Sequence, residues 1–175
     1  LATDSLKELQ RLISDLRPSH LDDLGLSAAL RWYAGRIQEH STISVRVDIL
    51  GEERDLEDAV KITIFRIIQE SLNNIIKHAQ ASHVNIHLRF EDKNVRISVR
   101  DNGIGFDLDR AKKNSASRPS LGLAGMQERA ALLGGNVSVQ SRPAYGTEVE
   151  ALIPYHHAEP DSHTLEEAKD DHTSA

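Results

Sequence analysis

Hydrophobic residues recur along this chain in two patterns, one with a helical period and one that alternates. The helical pattern predicts helices over residues 4–16, 25–40, 55–79 and 122–134. The alternating pattern predicts strands over residues 43–49, 84–90, 95–99, 136–141 and 147–153. Short connections, such as residues 91–94, favour antiparallel hairpins, and the order of elements predicts a two-layer α+β sandwich with helices on one face of the sheet.

The composition narrows the class of protein. The chain has 175 residues, of which 39% are hydrophobic and 27% charged, which is enough apolar material for a core. Its sequence holds no apolar run of about 18 residues, so we expect no membrane span. Cysteine is absent, which excludes disulfides and thiolate metal sites and favours a reducing, cytoplasmic location. The initial Leu1 suggests a fragment of a longer protein.

The net charge of −6 is concentrated at one end of the sequence. Residues 156–175 hold six acids and one lysine, and their lack of large apolar residues predicts a disordered acidic tail. The rest of the chain is nearly neutral, so charge gives no reason to expect nucleic-acid binding.

One face of the predicted helix 55–79 is polar and carries possible ligands. At about 100° per residue, that face holds Glu70, Asn73, Asn74, Lys77 and His78. The opposite face is apolar and would pack in the core; its members are Ile64, Phe65, Ile68, Leu72, Ile75, Ile76 and Ala79. Ile67 interrupts the polar face. A solvated helix surface explains most polar stripes, but two adjacent asparagines are poor helix formers and leave open a role as ligands.

Glycines mark two further candidate segments. Residues 101–106 read Asp-Asn-Gly-Ile-Gly-Phe at the end of a strand, either a plain turn or a place where backbone approaches a ligand closely. The segment fails as a calcium loop, because Gly103, Gly105 and Lys112 stand where oxygen ligands are needed. Residues 122–126, Gly-Leu-Ala-Gly-Met, open a helix and offer N–H groups to phosphate. Neither the Walker A pattern nor the Rossmann glycine pattern occurs in the sequence.

Taken in order, these segments resemble one family. Glu70-x-x-x-Asn74 is similar to the N box of the ATP-binding domain shared by gyrase, Hsp90, histidine kinases and MutL. Residues 101–106 resemble its first glycine box, residues 122–126 its second, and residues 145–147, Tyr-Gly-Thr, its closing Gly-Thr. Leu-Arg-Pro at residues 16–18 and Gly-Met-Gln-Glu-Arg-Ala at residues 125–130 resemble sensor histidine kinases of the nitrate-sensor (NarX/DesK-like) type.

The resemblance implies a fold, ligands and residue roles. The fold would be the Bergerat two-layer α/β sandwich, with a mixed, mostly antiparallel sheet. The ligands would be ATP and Mg²⁺, with Asn74 as the metal ligand and Glu70 and Asn74 as the catalytic residues. Asp101 would accept the exocyclic N–H of adenine. The implied nucleotide-binding residues are Asn73, Lys77, His78, Asp101, Gly103, Gly105, Phe106, Gly122, Leu123, Gly125, Met126 and Thr147. Residues 107–121 would form the ATP lid.

The resemblance also implies a division of the chain and a set of partners. Residues 1–24 would end the second helix of a dimerisation hairpin and its linker, and residues 25–155 would be the catalytic domain. The intact kinase would be a homodimer, a transferase that phosphorylates a histidine and then an aspartate of a response regulator in a two-component system. Neither His20 nor His40 matches the context of that acceptor histidine, so the chain should lack its own acceptor. The alternatives are an ATPase or serine kinase on the same fold, or a non-catalytic module gated by nucleotide.

Overall fold

The computed structural model describes residues 19–108 and 121–155. The three helices there are α1 (Ser19–His40), α2 (Asp58–Asn74) and α3 (Leu121–Leu132), and a π-helical turn at Ile75–Ala79 continues α2. The strands are β1 (Ser44–Leu50), β2 (His83–Phe90), β3 (Asn94–Asp101), β4 (Asn136–Ser141) and β5 (Thr147–Pro154). The predicted helix 4–16, the predicted tail 156–175 and most of the predicted lid lie outside the described residues.

The five strands form one mixed sheet in the order β1-β2-β3-β5-β4. Strand β1 pairs with β2 in parallel, and the other three pairs are antiparallel. The parallel pair follows from the connection, since α2 crosses between the two strands, whereas the short turn at residues 91–94 forces β2 and β3 to be antiparallel. The predicted α+β class and the mixed, mostly antiparallel sheet are confirmed.

The core lies between the sheet and the three helices. Every second residue of β2 and β3 is buried, and the residues between them are exposed or partly exposed, as the alternating pattern predicts. Helix α1 packs on β1, α2 on β3 and β5, and α3 on β4 and β5. The opposite face of the sheet carries the exposed polar residues of the same strands. Among the described helices, none combines the length and the hydrophobicity needed to cross a membrane.

The surroundings of α2 bear on whether its predicted polar face is a solvated surface. Ile67, which interrupts the predicted polar face, is fully buried, and Gln69 and Ser71 are buried as well. The reason is that α2 contacts both α1 and α3, besides the sheet. The predicted polar face is therefore partly an interior surface, which weakens the interpretation of its asparagines as a solvated stripe.

The backbone departs from regular helix at two places. In α1, Gly25 has φ 76° and ψ 170°, which interrupts the helix at the predicted start of the catalytic domain. Leu21, on the other side of that interruption, is nevertheless buried in the core. The predicted single helix 55–79 starts at Asp58 and becomes π-helical at Ile75–Ala79. A π turn widens the helix, so the wheel of about 100° per residue does not hold for its last five residues.

Candidate functional site

A cavity of about 460 Å³ opens between the sheet, the end of α2 and the start of α3. The structure brings nine of the predicted site residues to its wall: Asn74, His78, Asp101, Gly105, Phe106, Gly122, Leu123, Met126 and Thr147. These residues come from three separate segments of the chain and from the first residue of β5. The rest of the wall is mainly apolar and includes Val99, Ile104 and Val149, which suits a flat, hydrophobic ring with a few polar edges.

Five predicted site residues lie outside this wall. Glu70 abuts Gly122, where its carboxylate oxygen occupies the space that a β-carbon would need. Gly103 packs against the carbonyl of Ala79, and Gly125 faces the guanidinium of Arg129. The two others are Asn73 and Lys77. Their roles stay predictions, although Glu70 contacts Gly122 of the wall and Gly103 donates its N–H to Asp101.

Asp101 is the buried acid of the cavity. Asp101 is the last residue of β3, and it is only 3% exposed. The backbone N–H of Gly103 donates to its Oδ1 at 2.7 Å, and the backbone N–H of Thr147 also donates to this carboxylate. Burial raises the pKa of Asp101, and the two backbone donors partly offset that rise. The carboxylate can accept a further hydrogen bond from a ligand in the cavity.

Glycine is required where the loop after Asp101 meets the β4–β5 turn. Gly105 has φ 58°, and a β-carbon there would overlap the carbonyl oxygen of Arg142. Gly146 has φ 76°, and a β-carbon there would overlap the carbonyl oxygen of Asp101. Both positions combine a left-handed backbone with a close backbone approach. The two segments can therefore lie against each other at the bottom of the cavity.

The π turn connects α2 to the loop that follows β3. The carbonyl of Ala79, the last residue of the turn, accepts a hydrogen bond from the N–H of Ile104 at 2.8 Å. Asn74 directly precedes the turn, and His78 lies within it, and both reach the cavity wall. The π turn thus joins the α2 side of the cavity to the loop after β3 through a backbone hydrogen bond.

The α2 side of the cavity holds the oxygen donors. The Asn74 amide lines the cavity, while the Glu70 carboxylate lies one helical turn earlier against Gly122. Asn73 Oδ1 is buried and has no hydrogen-bond partner within the described part of the chain. The described residues contain no cluster of three or more His, Asp or Glu side chains that could hold a metal by themselves. Amide and carboxylate oxygens fit a hard cation that keeps most of its water.

Two residues that the sequence analysis did not single out support the site. Asn102 accepts hydrogen bonds at its Oδ1 from the backbone N–H groups of Ser82, at 3.0 Å, and His83, at 2.9 Å. Ser141 Oγ lies within hydrogen-bond distance of Phe106, Gly146 and Thr147. An Asn that follows a strand and precedes Gly indicates a side chain that bonds to nearby backbone. Ser141 ends an ordinary alternating strand, and its sequence context gives no such indication.

Comparison with protein families gives a match that includes the whole cavity wall. Residues 59–157, more than half of the chain, match the family described as histidine kinase-, DNA gyrase B- and HSP90-like ATPases. Among curated proteins, the chain is 37% identical over 154 residues to the signal transduction histidine-protein kinase/phosphatase DegS of Brevibacillus brevis. That alignment covers 88% of this chain and 39% of the relative. The oxygen sensor histidine kinase NreB of Staphylococcus carnosus is 34% identical over 149 residues, covering 85% of this chain and 42% of that protein.

Solved structures show the same fold. The histidine kinase domain of the blue-light activated histidine kinase of Erythrobacter litoralis aligns with TM-score 0.57 at 23% identity, covering 74% of this chain and 65% of that one. Full-length ShkA in complex with AMPPNP aligns with TM-score 0.58 at 22% identity, covering 77% of this chain and 30% of that one. The chain spans about two fifths of the length of the two curated relatives named above. The family match and the names of these relatives agree with the residues that line the cavity: the chain belongs to the histidine kinase-, DNA gyrase B- and HSP90-like ATPases.

Proposed function

We propose that the cavity binds ATP together with Mg²⁺, and that the intact kinase transfers the γ-phosphoryl group to a histidine of a dimerisation hairpin. The phosphoryl group then passes to an aspartate of a response regulator. The observation that carries the proposal is the placement of buried Asp101 and of Asn74 on the wall of one cavity. Asp101 is a hydrogen-bond acceptor suited to adenine, and Asn74 offers an amide oxygen suited to Mg²⁺.

The base end of the cavity supports adenine as the ligand. Asp101 supplies a carboxylate that already accepts two backbone N–H groups and has further lone pairs to accept an exocyclic amine. Val99, Met126 and Val149 line the cavity around it and provide apolar contact for a flat ring. A guanine would place its carbonyl oxygen toward the carboxylate, and that arrangement of two acceptors is unfavourable.

The other end supports phosphates and Mg²⁺. Asn74 would ligate the metal through its amide oxygen, and Glu70 would orient the water shell. Gly122 lies in the first turn of α3, where backbone N–H groups lack helical partners and favour an anion. When bound, Mg²⁺ neutralises the developing charge of phosphoryl transfer, while the residues of the chain position the phosphates. Asn73, Lys77, His78 and Gly125 are proposed to assist at this end.

The acceptor histidine belongs to a separate element in this proposal. His40 ends α1, and its Nδ1 is hydrogen-bonded to the carbonyl of Arg36 at 2.9 Å. In the kinases that the chain resembles, an acidic residue directly follows the acceptor histidine, whereas Ser41 follows His40. We therefore expect the 175-residue chain to bind ATP without phosphorylating itself. Dimerisation through the hairpin, the response regulator and a cytoplasmic location are parts of the same proposal.

Calorimetric titration of the 175-residue chain tests the proposal. The ligand is a non-hydrolysable ATP analogue, measured with and without Mg²⁺, with the matching GTP analogue as the control. We expect binding that prefers adenine and is strengthened by Mg²⁺. Absence of binding would remove the proposal and favour an interaction module. Binding followed by transfer to a separately supplied hairpin supports the kinase, whereas hydrolysis without transfer supports an ATPase.

A further inference from the structure

The hydroxyl of Ser141 lies where three segments of the cavity meet. Ser141 ends β4 and pairs across the turn with Thr147, the first residue of β5. Its Oγ is 2.9 Å from the backbone nitrogen of Phe106, 3.1 Å from the carbonyl oxygen of Gly146 and 2.9 Å from Thr147 Oγ1. A hydroxyl has one proton and two lone pairs, so these three neighbours use its full capacity.

Counting protons assigns a direction to each bond. The N–H of Phe106 can only donate, which occupies one lone pair of Ser141. If Ser141 donates to the Gly146 carbonyl and accepts the Thr147 proton, all three bonds form. If Ser141 donates to Thr147 instead, two bonds form, and the Gly146 carbonyl keeps only the N–H of Arg142 at 3.4 Å. The first arrangement satisfies more polar groups in a partly buried site and is therefore favoured.

In the favoured arrangement Thr147 has no proton left for a ligand. Its backbone N–H donates to Asp101, and its hydroxyl proton is donated to Ser141. Thr147 lines the cavity together with Asp101. The base end then presents two hydrogen-bond acceptors, a carboxylate and a hydroxyl oxygen, and no side-chain donor from this pair.

We propose that Ser141 is a specificity-determining positioning residue, which keeps the Thr147 hydroxyl an acceptor and thereby makes the cavity reject purines that carry a 6-oxo group. The inference rests on the proposed function and deepens it. A 6-amino group offers two N–H donors to such a pair, directly or through water, whereas a 6-oxo group offers an acceptor. Without Ser141 Oγ, the Thr147 proton is free to turn toward the cavity and to donate to a 6-oxo group.

The test compares ATP with inosine triphosphate, which carries oxygen in place of the 6-amino group. Affinities of both are measured by calorimetry with the 175-residue chain and with Ser141→Ala. We expect the preference for ATP to fall by about tenfold in Ser141→Ala, the size of one hydrogen bond changing sign. Ser141→Thr retains the hydroxyl and should restore the preference. The matched control is Ser138→Ala, on the same strand but at an exposed position, which should leave the preference unchanged.

A role of Ser141 in structure alone predicts a different result. In that case Ser141→Ala weakens both nucleotides by the same factor and leaves their ratio unchanged, which overturns the inference. In a Thr147→Val background there is no hydroxyl proton to release, so Ser141→Ala should no longer change the ratio. If Ser141→Ala fails to fold, Ser141→Cys, whose thiol is a weak acceptor, should lower the ratio in the same direction. A parent chain that binds neither nucleotide refutes the proposed function and this inference together, while a parent preference that survives in Ser141→Ala refutes this inference alone.

Discussion

Replacing Asp101 by Asn changes one atom of the buried carboxylate and leaves its shape. The amide oxygen can still accept the N–H of Gly103, which donates at 2.7 Å in the parent. The amide NH₂ group then stands where the second carboxylate oxygen was, and an NH₂ group donates hydrogen bonds where the oxygen accepted them. It therefore opposes the exocyclic amine of a bound adenine, which is a donor as well.

The loss of binding follows from the bond that adenine loses. Asp101 is only 3% exposed, so bulk water has little access to the place where the acceptor is missing. A hydrogen bond to a charged group is worth about 1.5–3 kcal/mol, which corresponds to roughly 10- to 150-fold in the dissociation constant of the ATP analogue. The preference over the GTP analogue should fall as well, since an amide NH₂ can donate to a carbonyl.

Calorimetric titration of both analogues measures the effect, and thermal unfolding checks that the variant folds. The loss of binding should exceed any change in the free energy of unfolding, because the substitution removes a buried charge as well as an acceptor. Asp92→Asn, in the exposed β2–β3 turn, is the matched control and should bind like the parent. An Asp101→Asn variant that binds the ATP analogue within about twofold of the parent would refute the placement of adenine against this side chain.

Three further predictions concern the metal, the backbone and the pH dependence. Asn74→Ala should retain binding of the metal-free ATP analogue in calorimetry but lose the enhancement of binding by Mg²⁺. The control Asn85→Ala, on the exposed sheet face, should retain both. An unchanged Mg²⁺ effect in Asn74→Ala would mean that the metal site lies elsewhere. Gly146→Ala and Gly25→Ala both add a β-carbon at φ 76°, but only the first meets backbone, at Asp101. Since Gly25 also has ψ 170°, in a region essentially restricted to glycine, we expect Gly25→Ala to lower the free energy of unfolding by about 1–3 kcal/mol and Gly146→Ala to lower it by clearly more in denaturant titration. Equal losses would contradict the close approach. Because burial raises the pKa of Asp101, affinity for the ATP analogue should begin to fall with decreasing pH already above about 4, where a free aspartate titrates. The contribution of Asp101 to the free energy of unfolding should instead grow as the pH falls. Asp101→Asn should abolish both pH dependences, and an affinity profile that this variant leaves intact would assign the titration to another group.

Much of the fold could be predicted because its elements repeat a simple pattern. Strand β2 alternates buried and exposed residues without exception, and period alone locates it. Period does not reveal which strands pair, so the parallel pairing of β1 with β2 needed the structure. Ile67 interrupts the predicted polar face and is fully buried, because a single helical wheel does not show that α1 and α3 also pack against α2.

The site could be predicted where residue type and spacing carry its chemistry. Asp101 and Asn74 were identified from an acid before a Gly-x-Gly turn and from an amide on a helix, together with the family resemblance, and both line the cavity. Ser141 was missed, since its role depends on partners that are close in space after the β4–β5 turn folds. The position of His78 depends on a π turn, which a regular period of 3.6 residues does not predict.

The sheet order has a consequence for how this domain folds. The β2–β3 and β4–β5 hairpins close over short turns, whereas β3 joins β5 by pairing residues as far apart in the chain as Val99 and Val149. Pairings over such a separation form late, because loop closure opposes them. Asp101 lies on β3 and Thr147 on β5, on either side of this late-forming strand pair, so neither hairpin alone can form the cavity. A nucleotide that bridges this strand pair binds the native state but not a partly paired intermediate, and we therefore expect occupancy to act chiefly on the rate of unfolding, prolonging the lifetime of the folded domain rather than hastening its formation.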